Sequence, residues 1–207
     1  MTRVYLESGP KKVFACAIDW PGWCRIAAGE EAALDRLMEY VPRYRVVAAR
    51  AGLDFSPGDP VVTGRVPGSQ TTDFGVPYTV PDLDLAPVPA DEAERGVALM
   101  RAAWALFDET AGGSPEELRK GPRGGGRDLA KMVAHVEEAE RAYARKLGVR
   151  HRPYRSRADR DAMREELAEA LSHPWEPPLT TGWPPRYGVR RIIWHVVDHL
   201  WEIEDRT

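Results

Sequence analysis

Tyr187-Gly-Val-Arg-Arg-Ile-Ile-Trp-His-Val-Val-Asp-His-Leu-Trp-Glu-Ile-Glu-Asp205, close to the end of the chain, is the stretch from which the rest can be read. Its apolar residues Val189, Ile192, Ile193, Val196, Leu200 and Ile203 recur at spacings of three and four, the period of a helix with one buried face. His195 and His199 are one turn apart on that helix, so two imidazoles share a side at a spacing that can chelate a metal. At 100° per residue from Val189, Val196 falls at about 340° and Leu200 at about 20°, whereas the histidines fall at about 240° and 280°. They flank the apolar stripe. A cavity opening at the side of a helix bundle would present them in this way.

Upstream, three further helices can be read. Asp91 to Ala111 carries Ala93, Val97, Met100, Trp104 and Phe107 as one stripe and ends at Gly112-Gly113. Asp128 to Leu147 carries Leu129, Met132, Val133, Val136, Tyr143 and Leu147, with Gly148 as cap. His135 lies at about 240° from Leu129, again on the shoulder of the stripe. Ser156-Arg-Ala-Asp159 reads as a capping box before a helix with Met163, Leu167, Ala170 and Leu171 inward, ending before Pro174. Gly121-Pro-Arg-Gly-Gly-Gly126 lacks the Lys-Ser/Thr and the preceding strand of a phosphate cradle, so it reads as a loop and not a nucleotide site. Trp104, Trp194 and Trp201 read as bundle packing, not as a substrate-stacking box.

His135, His195 and His199 therefore share one angular relation to the core. Three neutral imidazoles that leave one position open make a catalytic type of metal site, zinc being the typical occupant. The bland alternative is three unrelated histidines satisfied by carboxylates or water. Glu138, three residues after His135, and Asp198 and Glu202, next to the pair, are candidates to orient an imidazole; Glu202, three beyond His199, is the best placed. His151 and His173 sit in loops and read as lacking partners of this kind.

The other half of the chain is of a different kind. Residues 1 to 28 alternate like strands, with Val4 and Leu6, then Val13-Phe-Ala-Cys-Ala-Ile18, separated by the turns Gly9-Pro10 and Pro21-Gly22. A short antiparallel meander is expected. Glu30-Glu31 opens a helix with Leu34, Leu37, Met38 and Val41 on one face, and Pro42 predicts a kink or a second helix through Tyr44, Val47, Ala48 and Ala51 to Gly52. One more strand fits Val61 to Val66. Residues 67–90 are rich in proline and glycine, but Phe74, Val76, Tyr78 and Val80 suggest a linker docked on the bundle. The expected fold class is thus α+β, with a small antiparallel sheet plus helix over residues 1–66, the linker over 67–90 and a four-helix bundle over 91–207.

Composition narrows the function. A chain of 207 residues with net charge −3 and both signs interspersed has no basic face for nucleic acid. There is no apolar run of membrane-spanning length and no leader pattern at Met-Thr-Arg-Val-Tyr-Leu-Glu, which gives a cytoplasmic reading with no membrane partner. Cys16 and Cys24 are too few for a disulfide framework and read as buried thiols.

Two resemblances attach to these residues. The run from Val13-Phe14 through Asp19-Trp-Pro-Gly-Trp23 to Glu30-Glu31-Ala32 resembles the N-terminal module of HicB-like antitoxins, over about a quarter of the chain, and only the fold idea is carried over. Residues 91 to 205, with the histidine of Ala134-His-Val-Glu-Glu-Ala-Glu140 and the His-x-x-x-His of Trp194-His-Val-Val-Asp-His-Leu-Trp-Glu202 in the proper helix order, resemble the DinB/YfiT-like family of bacterial metal-dependent helix bundles. That resemblance implies an up-down four-helix bundle whose three histidines, His135, His195 and His199 here, hold a divalent metal, commonly zinc or nickel, with iron as a further choice. It also implies thiol-dependent S-transfer or isomerisation of a small-molecule substrate with bacillithiol, mycothiol or glutathione. The N-terminal module is outside the family pattern and is free to alter pocket access or to serve as the interface of a homodimer. The alternatives are a hydrolase using a metal-bound water, and a non-catalytic metal or ligand module with a protein partner. No separate acid, base or nucleophile stands in a recognisable motif, so the sequence leaves enzyme and binder both open.

Overall fold

A computed structural model describes residues 1–121 and 126–207; the loop reading of Gly121 to Gly126 rests largely on residues 122–125, outside the described ones. The fold is α+β and divides into two units, Met1–Ala86 and Pro87–Thr207.

In the first unit the alternating stretches become strands β1 (Thr2–Ser8), β2 (Val13–Ala17), β3 (Cys24–Ala27) and β4 (Pro60–Pro67), in the order β3-β2-β1-β4. The sheet is mixed, which corrects the antiparallel expectation: β1, β2 and β3 form the meander, but β4 pairs parallel to β1. The reason is topological. β3 is antiparallel to β2 and so runs with β1, as β4 does; joining two strands of the same direction takes a crossover, here through helices α1 (Glu30–Glu39) and α2 (Val41–Arg50). Pro42 sits in the first turn of α2, where a missing N–H costs nothing, so the Pro-interrupted pattern resolves into two helices in series. The fully buried residues of α1 are Ala33 and Leu37, with Leu34, Met38 and Val41 only half-buried, so the inward face is turned by about one residue from the expected stripe.

The turn between β2 and β3 is pinned to these helices. The Trp23 indole donates to the Leu37 carbonyl at 3.0 Å, the Tyr44 hydroxyl donates to the Pro21 carbonyl at 2.8 Å, and the rings of Trp23, Tyr44 and Phe55 pack together. Cys16 and Cys24, both buried and not joined in a disulfide, lie opposite each other on β2 and β3. The Pro/Gly-rich segment belongs to this unit up to Ala86 and contains a short helix α3 (Gln70–Asp73) and a 3₁₀ turn at Asp82–Leu85. Buried Glu7 of β1 anchors it, its carboxylate accepting from the Thr72 hydroxyl at 2.7 Å and from the backbone N–H groups of Tyr78 and Thr79 at 3.1 Å each.

The second unit consists of four long helices, α4 (Ala90–Gly113), α5 (Leu129–Lys146), α6 (Arg157–Leu171) and α7 (Pro185–Arg206). α4 packs on α7 and α6, and α5 packs on the same two, which closes a ring of four. The stripe of α4 is buried as expected and Ser156 and Asp159 do form the capping box of α6. In α6, however, Ala170 is exposed, while Arg160 and Arg164 are buried beside Met163 and Leu167. α7 is the central element: from Tyr187 to Val197 every residue is buried. Among the described residues no helix is long and apolar enough to cross a membrane.

Candidate metal centre

Two close approaches set α7 against α5. At Gly188, near the start of α7, a Cβ would stand 2.5 Å from Leu147 at the end of α5, so only glycine lets the helices approach this closely without moving Leu147. Gly182, at φ +83°, turns the chain so that the Trp183 N–H donates to the Lys146 carbonyl at 2.9 Å. With the helices so registered, His135 of α5 faces His195 and His199 of α7.

The three rings meet. Each offers a nitrogen within 4.8 Å of the others, and ring centroids are 4.7 to 5.1 Å apart. His135 Nε2 and His195 Nε2 are separated by 3.3 Å. Two nitrogens bound to one tetrahedral zinc at about 2.0–2.1 Å stand roughly 3.3–3.4 Å apart, so the pair has the edge length such an ion requires. His195 Nδ1 is buried and has no hydrogen-bond partner among the described residues, which leaves Nε2 as the nitrogen that faces the cluster. His195 and His199 are buried and His135 half-buried, so access to the cluster is on the His135 side.

Electrostatics favour the ligating form. Burial, reinforced by His199 and the other neighbouring cations, pulls the pKa of His195 well below 6.5 and that of His135 below it. Both rings are therefore unprotonated at neutral pH, with lone pairs available to a metal. His199 is held by its other nitrogen: Nδ1 meets Glu202 Oε2 at 3.0 Å. That contact, together with Arg206, holds the Glu202 carboxyl below its ordinary value. Arg206 donates to Glu202 Oε1 at 3.1 Å and to the backbone carbonyls of Arg119 and Arg127 at 2.7 and 2.8 Å. The result is a carboxylate–imidazole arrangement in which Nδ1–H of His199 is fixed and Nε2 is turned to the cluster.

Of the other carboxylates singled out from sequence, Glu138 is exposed and paired with Arg141 on its own helix, and Asp198 is half-buried one position before His199. His151 and His173 are not without partners, contrary to expectation; they meet Glu166 at 2.7 Å and Glu169 at 3.3 Å on helix α6, whose exposed carboxylates face their loops. Trp104, Trp194 and Trp201 are all buried.

Residues not singled out from sequence for the site border the cluster. Arg191, one turn before His195, is 7% exposed, and its guanidinium lies 4.6 Å from the Trp194 ring centre and 5.3 Å from that of Tyr143. Its Nη2 donates to the Tyr143 hydroxyl at 3.3 Å, and the Tyr143 ring stands edge-on to His195 at 5.6 Å. Burial raises the Tyr143 phenol above its usual value, so it is a neutral hydroxyl. The signal was available in the spacing: Arg191, His195 and His199 recur every four residues and so share one face. A second buried polar cluster joins α4, α5 and α6. Arg164 forks onto the fully buried Glu140 at 3.0 Å twice and reaches Asp108, while Arg160 bridges Asp108, Glu137 and Asp161.

Comparison with known proteins yields no relative: no protein-family model, no curated protein and no solved structure matches the chain.

Proposed function

We propose that His135, His195 and His199 hold a divalent metal, zinc in the first instance with nickel or iron as substitutes, and that the protein is a thiol-dependent S-transferase or isomerase acting on a small electrophile. On this reading the four helices are an up-down bundle of the DinB/YfiT type, and the sheet unit is a HicB-like module appended to it. The observation that carries the proposal is the convergence of three desolvated imidazoles, one of them held from behind by a carboxylate.

The metal would supply a Lewis-acidic position at which a bound thiol loses its proton near neutral pH. The chain's own residues do the rest. His135 and His195 are kept neutral by burial and need not shed a proton to bind the ion. Glu202 fixes the tautomer of His199. Half-buried His135 marks the side from which a small molecule would enter. Glu202 already accepts from both His199 and Arg206, so it is a poor general base for water; this favours a thiol, which ionises more easily, over hydrolysis.

The test begins with elemental analysis of the purified chain and of His199→Ala. About one metal per wild-type chain, lost in the variant, is expected; a chain that retains none of Zn²⁺, Ni²⁺ or Fe²⁺ after loading sinks the metal reading. Loaded protein is then assayed on model electrophiles with bacillithiol, mycothiol, glutathione or no thiol. Turnover should require a thiol. Thiol-independent turnover would assign a hydrolase, and bound metal without turnover would leave a binding module with a protein partner.

A further inference from the structure

Among the described residues Arg191 is a buried cation with no carboxylate opposite it. The deeply buried Arg160, Arg164 and Arg206 are each neutralised by a carboxylate. Among the described residues Arg191 meets only the Tyr143 hydroxyl and the faces of Tyr143 and Trp194, and its Nη1 is buried without a hydrogen-bond partner. A buried charge left unpaired is strongly unfavourable, and a cation over an aromatic face recovers only part of that cost. Such an arrangement persists where something outside the chain completes it.

We infer that Arg191 and Tyr143 form an oxyanion-binding subsite beside the three histidines, and that the protein's small-molecule ligand carries a carboxylate as well as the group that meets the metal. The inference rests on the metal reading of the same cluster and adds the class of its ligand. Arg191 presents the planar N–H fork that suits a carboxylate, and Tyr143, which accepts from Arg191, keeps its own proton to donate to the same anion. The position follows from helix geometry, because Arg191 lies one turn from His195 on α7 and Tyr143 is edge-on to the His195 ring. Trp194 and Tyr143 lie against the guanidinium, which is buried, and a charged hydrogen bond is stronger in such surroundings than in water. A ligand anchored at both points has one orientation, with its second functional group held at the metal.

The test uses the full chain loaded with Co²⁺, whose thiolate charge-transfer absorption reports thiol binding. 3-Mercaptopropionate and 2-mercaptoethanol, which differ in a carboxylate against a hydroxyl, are titrated into the wild type, Arg191→Gln, Arg191→Lys and Tyr143→Phe. The wild type should prefer 3-mercaptopropionate by about tenfold or more, the range of a charged hydrogen bond. Arg191→Gln should remove the preference while leaving cobalt stoichiometry and 2-mercaptoethanol affinity unchanged; Tyr143→Phe should reduce it in part and Arg191→Lys retain some. Equal binding of the two thiols by the wild type, or a preference that survives Arg191→Gln, overturns the inference. If Arg191→Gln does not fold, the Tyr143→Phe comparison decides by the same rule. If the wild type takes up no cobalt, the metal reading alone fails, and malonate is titrated into the metal-free chain with tryptophan fluorescence as readout. A saturable response lost in Tyr143→Phe and Arg191→Gln would keep the subsite; no response would overturn it too.

Discussion

The bundle buries two polar clusters, and they are built on opposite plans. Between α4, α5 and α6, Arg160 and Arg164 are matched by Asp108, Glu137 and Glu140, and the guanidinium nitrogens find carboxylate oxygens at 2.8 to 3.2 Å. Between α5 and α7, three imidazoles face one another; among the described residues His195 Nδ1 and Arg191 Nη1 are buried without hydrogen-bond partners, and the carboxylate that meets His199 is already shared with Arg206. The charged groups of the first cluster are all paired, and it reads as structure. The second is a set of polar groups whose complement is not found among the described residues. Buried polar groups are normally satisfied, so an unfinished cluster within a bundle able to finish another one is an argument for a ligand.

That contrast makes its largest prediction at the finished cluster. Arg164→Met leaves Glu140 buried and unpaired, and should lower unfolding free energy by about 3–5 kcal/mol, with metal stoichiometry unchanged. Adding Glu140→Leu removes the orphan charge and should recover most of the loss. Chemical denaturation of the metal-free proteins measures both, and a single variant that costs under about 1 kcal/mol would mean that the network is not closed in the way its distances imply. The next effect in size belongs to the other cluster. Glu202→Gln keeps the side chain's shape but weakens its hold on His199 and takes the carboxylate from buried Arg206, and should cost about 10–100-fold in metal affinity by chelator competition together with some metal-free stability. The inverse result, lost stability with full metal affinity, would make Glu202 a structural partner of Arg206 only.

How much of this could be read from sequence differs between the same two clusters. His135, His195 and His199 were legible because helical periodicity gives each residue an angle, and three shoulder positions on two helices point to one place. Glu202 was legible for the same reason, as the residue three beyond His199. Arg160 and Arg164 were not, since arginine at helical spacing reads as a solvated face and only the packing of α6 against α4 and α5 turns them inward. Arg191 was missed in the same way. In the first unit, alternation located all four strands, but the parallel pairing of β4 to β1 depends on how the crossover is routed, which no local pattern contains. Glu7 was not singled out from sequence; its burial is matched by three hydrogen bonds from residues more than sixty positions away, which no local pattern contains.

The smallest predicted effect separates the clusters by acid. In the metal-free chain the pKa values of His135 and His195 lie below the 6.5 of an unperturbed histidine, chiefly because burial disfavours their charged forms. The unfolded chain therefore takes up protons first as pH falls, so the stability these groups contribute is fully present above 6.5 and declines below it. Each histidine accounts for less than about 1 kcal/mol by pH 6. Glu140 has the opposite sign. Burial raises its carboxyl above 4.5 against the pull of Arg164, so the folded state binds that proton no later than the unfolded one, and this group contributes no loss as pH falls from 6.5 to 4.5. Denaturant midpoints of the metal-free chain should thus fall between pH 7 and 5.5, and His195→Gln should flatten the decline. Saturating Zn²⁺ at pH 7 should raise the midpoint, and the gain should shrink as protons compete for the same nitrogens. A decline that is identical in His195→Gln would place the acid-sensitive groups outside the histidine cluster and remove the neutral-imidazole basis of the metal reading.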